Sequence, residues 1–430
     1  MVVGELPESV DFLVIGGGPG GYVAALSAAA LGRKVVVVDT LGEAGLGGVC
    51  VNVGCIPSKA LIELADATHD LKSWETRGLL ATGQVNMADF QTWKTQVVTG
   101  LNGGVRQLFK AAGITVIQGF FRFTRKDQGA VEFGDEHPPM HLKFSSCVVA
   151  TGSRPATVAA LPRDGIRILD STDVLNLATV PAATVIVGGG YIGLELGTAL
   201  AKVGSKVTIV EAASRILPQL PSHIVAPVTK RLAELGVTVL TDTNVIADDG
   251  SRVTVSAEGS QSSIAADVVV VCVGRRANTE DLGLEVLGVK TNEQGLLDVG
   301  ADLKITPNVA AIGDITTGPA LAHKASTQGH IAAEILSGHS ASYAPMAIPA
   351  VIFSDPEIAM TGLTAEQATE QGLRVSTAMF PMAASGRART MNESAGLSQL
   401  VHTDSGVIVG AQLVGPHVSE FIAEITLAIE

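Results

Sequence analysis

The stretch Asp11-Phe12-Leu13-Val14-Ile15-Gly16-Gly17-Gly18-Pro19-Gly20-Gly21 decides the fold. Its apolar run predicts a short buried strand. The glycines make a tight turn. Tyr22 to Leu31, rich in Ala and Leu, follows as a helix, and Lys34 to Val38 is a second strand closed by Asp39. Together these make a βαβ unit of the dinucleotide-binding kind. Gly16 and Gly18 allow the turn and let the backbone approach a pyrophosphate. Gly21 lets the helix sit close to the sheet, and Asp39 is placed to accept from a ribose hydroxyl. The helix start offers free N–H groups and a positive dipole to phosphate. Phe12 to Gly32 is uncharged and long enough to resemble a membrane span. The glycine turn inside it favours a strand, a turn and a buried helix instead.

The pattern recurs. Ala183 to Val187 is a strand, Gly188-Gly189-Gly190-Tyr191-Ile192-Gly193 a turn, Leu194 to Val203 a helix, and Lys206 to Val210 a strand closed by Glu211. Two fingerprints imply two nucleotide sites, hence an α/β fold with two Rossmann-like domains. Glu211 favours NAD over NADP, because a carboxylate repels a 2′-phosphate. Arg215 is the one base close by and keeps the NADP alternative open. Cys147 to Gly152 and Val269 to Gly274 are apolar strands running into glycine turns. Ala310-Ala311-Ile312-Gly313-Asp314 is a third such end, now carrying a carboxylate. Phe90 to Lys110 reads as a long helix. Beyond Ile348 the reading gives strands at Pro349–Phe353 and Gly406–Gly410 and a helix from Val418 to Glu430.

Size and composition agree with this. A chain of 430 residues with 48 glycines, 47% apolar residues and 4% aromatics suits two or three domains with buried parallel strands. A net charge of −13 argues against nucleic-acid binding. Met1 to Val10 carries Glu5 and Glu8 and no positive charge, so no signal peptide is expected. The expected location is the cytoplasm, with no membrane partner.

Of four cysteines, Cys147 and Cys272 sit in apolar runs and read as core residues. Cys50 and Cys55 lie in Gly47-Gly48-Val49-Cys50-Val51-Asn52-Val53-Gly54-Cys55-Ile56-Pro57-Ser58-Lys59. In an undistorted helix their Cα atoms stand roughly 8 to 9 Å apart. A disulfide needs roughly 4.4 to 6.8 Å. Gly54 and Pro57 permit the necessary distortion. A metal half-site needs a second soft pair, which the sequence does not supply. The neighbours favour a redox couple over a metal site, and no metal is expected.

These motifs together resemble the FAD-dependent pyridine nucleotide–disulfide oxidoreductases, and within them the dihydrolipoamide dehydrogenase branch. Leu321-Ala322-His323-Lys324-Ala325 and Val351-Ile352-Phe353-Ser354-Asp355-Pro356-Glu357 carry the branch resemblance. The resemblance implies a disulfide between Cys50 and Cys55. Cys50 would exchange with the dithiol, and Cys55 would form the charge-transfer thiolate against the flavin. Lys59 would place its ammonium near the flavin and pair with Glu195. The FAD set would be Gly16, Gly18, Gly21, Asp39, Lys59, Gly119, Thr151, Gly152, Ser153, Asp314, Leu321, Ala322 and His323. The NAD set would be Gly188, Gly190, Gly193, Glu195, Glu211, Val245 and Gly274. Tyr191 would cover the nicotinamide pocket. The implied domains are FAD-binding at 1–153 and 277–346, NAD-binding at 154–276, and an incomplete interface domain at 347–430. A homodimer and lipoyl-domain partners from 2-oxoacid dehydrogenase or glycine-cleavage complexes would follow.

One departure stands out. The family's base is a histidine in a C-terminal His-Pro segment followed by a glutamate, and no such segment follows Val418 here. His402 reads as solvated in a polar turn, His417 as part of a glycine–proline–histidine turn, and His137 as a loop residue. General-base help is worth roughly 10² to 10⁴-fold. The sequence given is therefore expected to bind FAD and NAD but to oxidise dihydrolipoamide poorly. The alternatives are a related disulfide or mercuric reductase, and a flavin-binding assembly subunit.

Overall fold

A computed structural model describes residues 7–134 and 137–430. Glu5, part of the stretch read as lacking a signal peptide, lies outside them. The chain divides into two compact units, the first made of residues 1–57, 93–154 and 275–344, the second of 58–92, 155–274 and 345–430.

In the first unit, Glu8–Ile15 pairs in parallel with Val35–Asp39 on one side and Met140–Val149 on the other. The sheet runs on through Thr115–Gln118 at one end and Val309–Ala311 and Lys304–Thr306 at the other. An antiparallel pair, Phe120–Arg125 and Gln128–Glu132, extends Met140–Val149. Leu13, Val14 and Val148 are fully buried, as expected for strands covered on both faces. The helix Pro19–Ala30 begins three residues before the expected Tyr22, because proline at the first helical position loses no bond it would otherwise make. It packs against Ala322–Leu336. A Cβ on Gly329 would meet the Gly20 carbonyl at 2.3 Å, so glycine sets how closely the two helices approach.

The second unit holds a parallel sheet in the order Thr238–Leu240, Lys206–Val210, Ala183–Val187, Val268–Val271 and Ile168–Asp170. A three-stranded antiparallel sheet covers Thr243–Asp248, Arg252–Ala257 and Ser260–Ala265. An antiparallel sheet of five strands among the described residues, Ala350–Ile352, Glu357–Gly362, Ile408–Gly415, Leu397–Thr403 and Val375–Pro381, occupies the C-terminal part. The expected helix from Val418 opens as a 3₁₀ turn, Val418–Glu420, and becomes α-helical at Ile422–Ile429. His402 is not in a turn. It is a half-buried residue of Leu397–Thr403, where the pairing register shifts. His417 takes a left-handed φ of +52°, consistent with a turn residue.

Phe12 to Gly32 forms strand, turn and helix as read. Among the described residues one helical stretch, Gly48–Leu71, has the length and composition of a membrane span. It breaks between Gly48–Asn52 and Cys55–Trp74, and its Lys59 and Asp66 are engaged in ion pairs.

Candidate active site

The two glycine turns repeat one construction. Gly16 at φ +96° and Gly188 at φ +109° adopt backbone that side chains rarely take. A Cβ on either would stand 2.4 Å from a carbonyl of the neighbouring strand end, that of Ala150 or Cys272. Gly21 and Gly193 would meet the Gly16 and Gly188 carbonyls at 1.9 and 2.1 Å. These four glycines are required by the protein's own packing.

Gly18 and Gly190 differ. Both have ordinary extended backbone, with φ −68° and −77°. A Cβ on Gly190 meets nothing within 4 Å, and one on Gly18 meets only Gly48 Cα at 3.8 Å. Each also caps a helix that carries no side-chain cap and no acid in its first turn. The first N–H groups of a helix need acceptors from outside its own ladder. An anion seated at each turn accounts for both facts.

The acids that close the second strands complete the cradles. Asp39 accepts from the Gly17 N–H at 2.8 Å and the Leu41 N–H at 2.9 Å. Glu211 accepts from the Gly189 N–H at 2.6 Å and the Ala213 N–H at 2.7 Å. A carboxylate has about four acceptor positions, so capacity for a ribose hydroxyl remains at each. Arg215 turns to its own loop, donating to the Leu220 carbonyl at 2.6 Å. The residues present therefore fit one dinucleotide in each unit, and the second cradle favours NAD.

The first unit also gathers the other flavin-side residues. Ser153 Oγ donates to Asp314 Oδ2 at 2.6 Å, and Arg275 Nε donates to Ser153 Oγ at 2.7 Å. Thr151 and Asn278 exchange two hydrogen bonds, of 2.7 and 2.9 Å. Gly152 follows with φ +67° and open space beyond it. Lys324, 3% exposed, donates to the Gly313 carbonyl and to Thr316 Oγ1, each at 3.1 Å. Burial lowers its pKa, against the pull of Asp314. Leu321 caps the helix that Ala322 begins, and His323 is exposed. Gly119 is fixed by packing, since a Cβ there would stand 2.4 Å from Val131. Cys50 is half-buried in Gly48–Asn52, and Cys55, exposed, opens the helix Cys55–Trp74. Burial, and then the charge of Cys50, raise the pKa of Tyr22. Cys147 and Cys272 are buried as read, and burial pushes the Cys272 thiol up to about 12. Among the described residues no cluster of His, Cys, Asp and Glu is arranged to hold a metal.

In the second unit, Lys59 Nζ lies 2.7 Å from Glu195 Oε2, and the Glu195 side chain is 6% exposed. The Phe353 N–H donates to the other oxygen of Glu195 at 3.0 Å. The Phe353 ring centroid is 4.6 Å from Lys59 Nζ, within cation–π range. Tyr191 begins the helix that bears Glu195 and is exposed, Val245 is half-buried in Thr243–Asp248, and Gly274 has φ +117° with open space. Sequence reading missed Phe353, Arg275 and Asn278 as site residues. Phe353 stood inside a quoted motif, but its backbone donor role has no sequence signature. Arg275 and Asn278 stood in the turn after Gly274.

Comparison with known proteins agrees with this geometry. Residues 10–329 match the pyridine nucleotide-disulphide oxidoreductase family, and residues 348–430 match its dimerisation domain. The chain is 46% identical to dihydrolipoyl dehydrogenase of Geobacillus stearothermophilus, over all of this chain and 92% of that protein. It is 43% identical to the Bacillus subtilis dihydrolipoyl dehydrogenase with the same coverage. Among solved structures it resembles LpdA from Mycobacterium tuberculosis, with a TM-score of 0.89, 25% identity, and 98% and 93% of the two chains covered. It also resembles the HOCl-induced flavoprotein disulfide reductase RclA from Escherichia coli, with a TM-score of 0.84, 27% identity, and 97% and 93% covered. The paired cradles are thus those of a flavoprotein that uses FAD and NAD, and the chain belongs to the pyridine nucleotide-disulphide oxidoreductase family.

Proposed function

We propose that this chain is a dihydrolipoyl dehydrogenase, oxidising protein-bound dihydrolipoamide to lipoamide and reducing NAD⁺ to NADH. The identity of 46% over the whole chain to a dihydrolipoyl dehydrogenase carries the substrate assignment. The two cradles support the cofactors. The cofactor domains are assigned to 1–153 with 277–346 for FAD and 154–276 for NAD, and the interface domain to 347–430. The assembly is a homodimer that works on lipoyl domains in the cytoplasm.

The chemistry assigned to the chain is thiol–disulfide exchange. One substrate thiolate attacks the Cys50 sulfur of a Cys50–Cys55 disulfide, and Cys55 leaves as a thiolate. The second substrate sulfur then attacks the first and releases Cys50. Lipoamide leaves with its new disulfide, and the enzyme keeps two electrons on two sulfurs. FAD, when bound, supplies the two-electron chemistry that joins these sulfurs to NAD⁺. Gly16 to Gly21 and Asp39 would hold its pyrophosphate and ribose, and Asp314, to which Ser153 donates at 2.6 Å, would hold its ribityl chain. Lys59, oriented by Glu195 and Phe353, would supply a fixed cation that favours negative charge on the reduced cofactor.

Steady-state assays of the flavin-loaded protein with dihydrolipoamide and NAD⁺, and with NADH against glutathione disulfide and mercuric ion, test the assignment. NADH formation from dihydrolipoamide is expected, with the Cys50→Ser variant inactive. Faster turnover of glutathione disulfide or mercuric ion would contradict it.

A further inference from the structure

Behind the Lys59–Glu195 pair stands a second set of charges to which the reaction above assigns no part. Lys59 and Asp66 are seven residues apart on Cys55–Trp74, and Glu195 and Lys202 are seven apart on Tyr191–Lys202. Two helical turns put each pair on one face of its helix. The result is a ladder with two rungs. Lys59 meets Glu195 at 2.7 Å, and Asp66 meets Lys202 at 2.5 Å, with the signs exchanged between rungs.

A third strip of chain ties into both rungs. Phe353 gives its N–H and its ring to the first. Asp355, two residues on, accepts from Lys202 Nζ at 2.7 Å and from Arg231 Nε at 2.9 Å. Between the rungs is a small cavity lined by Ile62, Thr198 and Ala199. The buried Thr198 hydroxyl has no hydrogen-bond partner among the described residues. The middle of the ladder packs through apolar side chains and adds no hydrogen bond from Thr198, so the polar ties between the two helices here are the rungs.

The two ammonium groups are unequal in burial. The Lys59 side chain is 34% exposed and that of Lys202 only 8%. Water competes for the Lys59 ammonium and hardly for that of Lys202, whereas the carboxylates run the other way, Glu195 at 6% and Asp66 at 46% exposed. Burial opposes the Lys202 charge, but Asp355 and Asp66 outweigh it and raise its pKa. The Lys202 ammonium, held by Asp355 as well as Asp66, is thus the anchor. We propose that Lys202 is a positioning residue, whose ammonium gathers Asp66 and Asp355 and so locks Phe353 and Glu195 against Lys59. The consequence for catalysis rests on the role given to Lys59 above, whereas the structural coupling does not.

The test compares flavin-loaded wild type with Lys202→Met and Lys202→Arg. Hydrogen exchange at the Phe353 amide reads the lock directly, since that N–H is protected by Glu195. In Lys202→Met this amide should exchange about tenfold faster. Flavin content should stay at the wild-type level, and kcat for dihydrolipoamide oxidation should fall about tenfold with KM for NAD⁺ within about twofold. Lys202→Arg should restore both the protection and the rate. Unchanged exchange at Phe353, or faster exchange with wild-type kcat, would overturn the proposal. Should Lys202→Met not fold, Asp66→Asn removes only the half-exposed partner. The Phe353 amide must then still exchange faster, and wild-type protection would overturn the proposal. A wild type that fails to oxidise dihydrolipoamide would refute the assigned reaction, while the amide measurement would still decide the coupling.

Discussion

Gly18 and Gly190 are glycines that the protein's own packing does not explain, and that sets them apart from Gly16, Gly21, Gly188 and Gly193. Alanine at either would meet no clash and no forbidden backbone. Alanine at Gly193 would press on a carbonyl 2.1 Å away. The pair of substitutions therefore separates folding from binding. Gly190→Ala should leave thermal stability within about 0.5 kcal/mol of wild type. It should weaken NADH binding by about tenfold, because the new methyl stands where the pyrophosphate approaches. Gly193→Ala should destabilise by about 3 kcal/mol through overpacking. Melting curves and fluorescence titration with NADH check both, and equal loss of stability in the two variants would refute the distinction.

Elements joined by charge show where sequence reading stops. The two βαβ units were legible because each is local, with strand, turn, helix and acid in unbroken order. The cysteine run and the strand ends at Gly152, Gly274 and Asp314 were legible for the same reason. The ladder was not. Asp66, Lys202, Arg231 and Asp355 are ordinary surface types in one dimension, and only the packing of two helices and a strand end makes them one network. Resemblance alone joined Lys59 to Glu195, and no local spacing could have done so. The Phe120–Arg125 and Gln128–Glu132 pair and the three-stranded sheet after Thr243 were missed although part of the signal was present: Phe121 and Phe123, and Val253 and Val255, are buried at alternate positions, and Ser260–Ala265 alone is largely exposed. The Asp355 network also has a pH signature. Burial raises the Asp355 pKa, but Lys202 and Arg231 outweigh it and hold it below the ordinary value. A carboxyl depressed in the fold stabilises above its unfolded value, near 4, and that contribution is lost as pH falls through the folded value. Asp355→Asn should thus cost about 3 kcal/mol at pH 7, by leaving Lys202 and Arg231 short of a partner. The gap from wild type should shrink below about pH 4. Melting temperatures of both proteins from pH 3 to pH 7 test this, and a constant gap would contradict it.

At the scale of the whole molecule, the proposed reaction passes a single pair of electrons from a dithiol through two cysteines and the flavin to NAD⁺. The proposed reaction requires that the Cys50 and Cys55 sulfurs and the bound flavin exchange that pair. Anaerobic titration of the flavin-loaded protein with dihydrolipoamide, followed by absorption, measures it most directly. Two electrons per chain should produce a long-wavelength band while the main flavin band persists, and Cys55→Ser should abolish the new band. Direct bleaching of the flavin with no such band, or an identical response from Cys55→Ser, would contradict it.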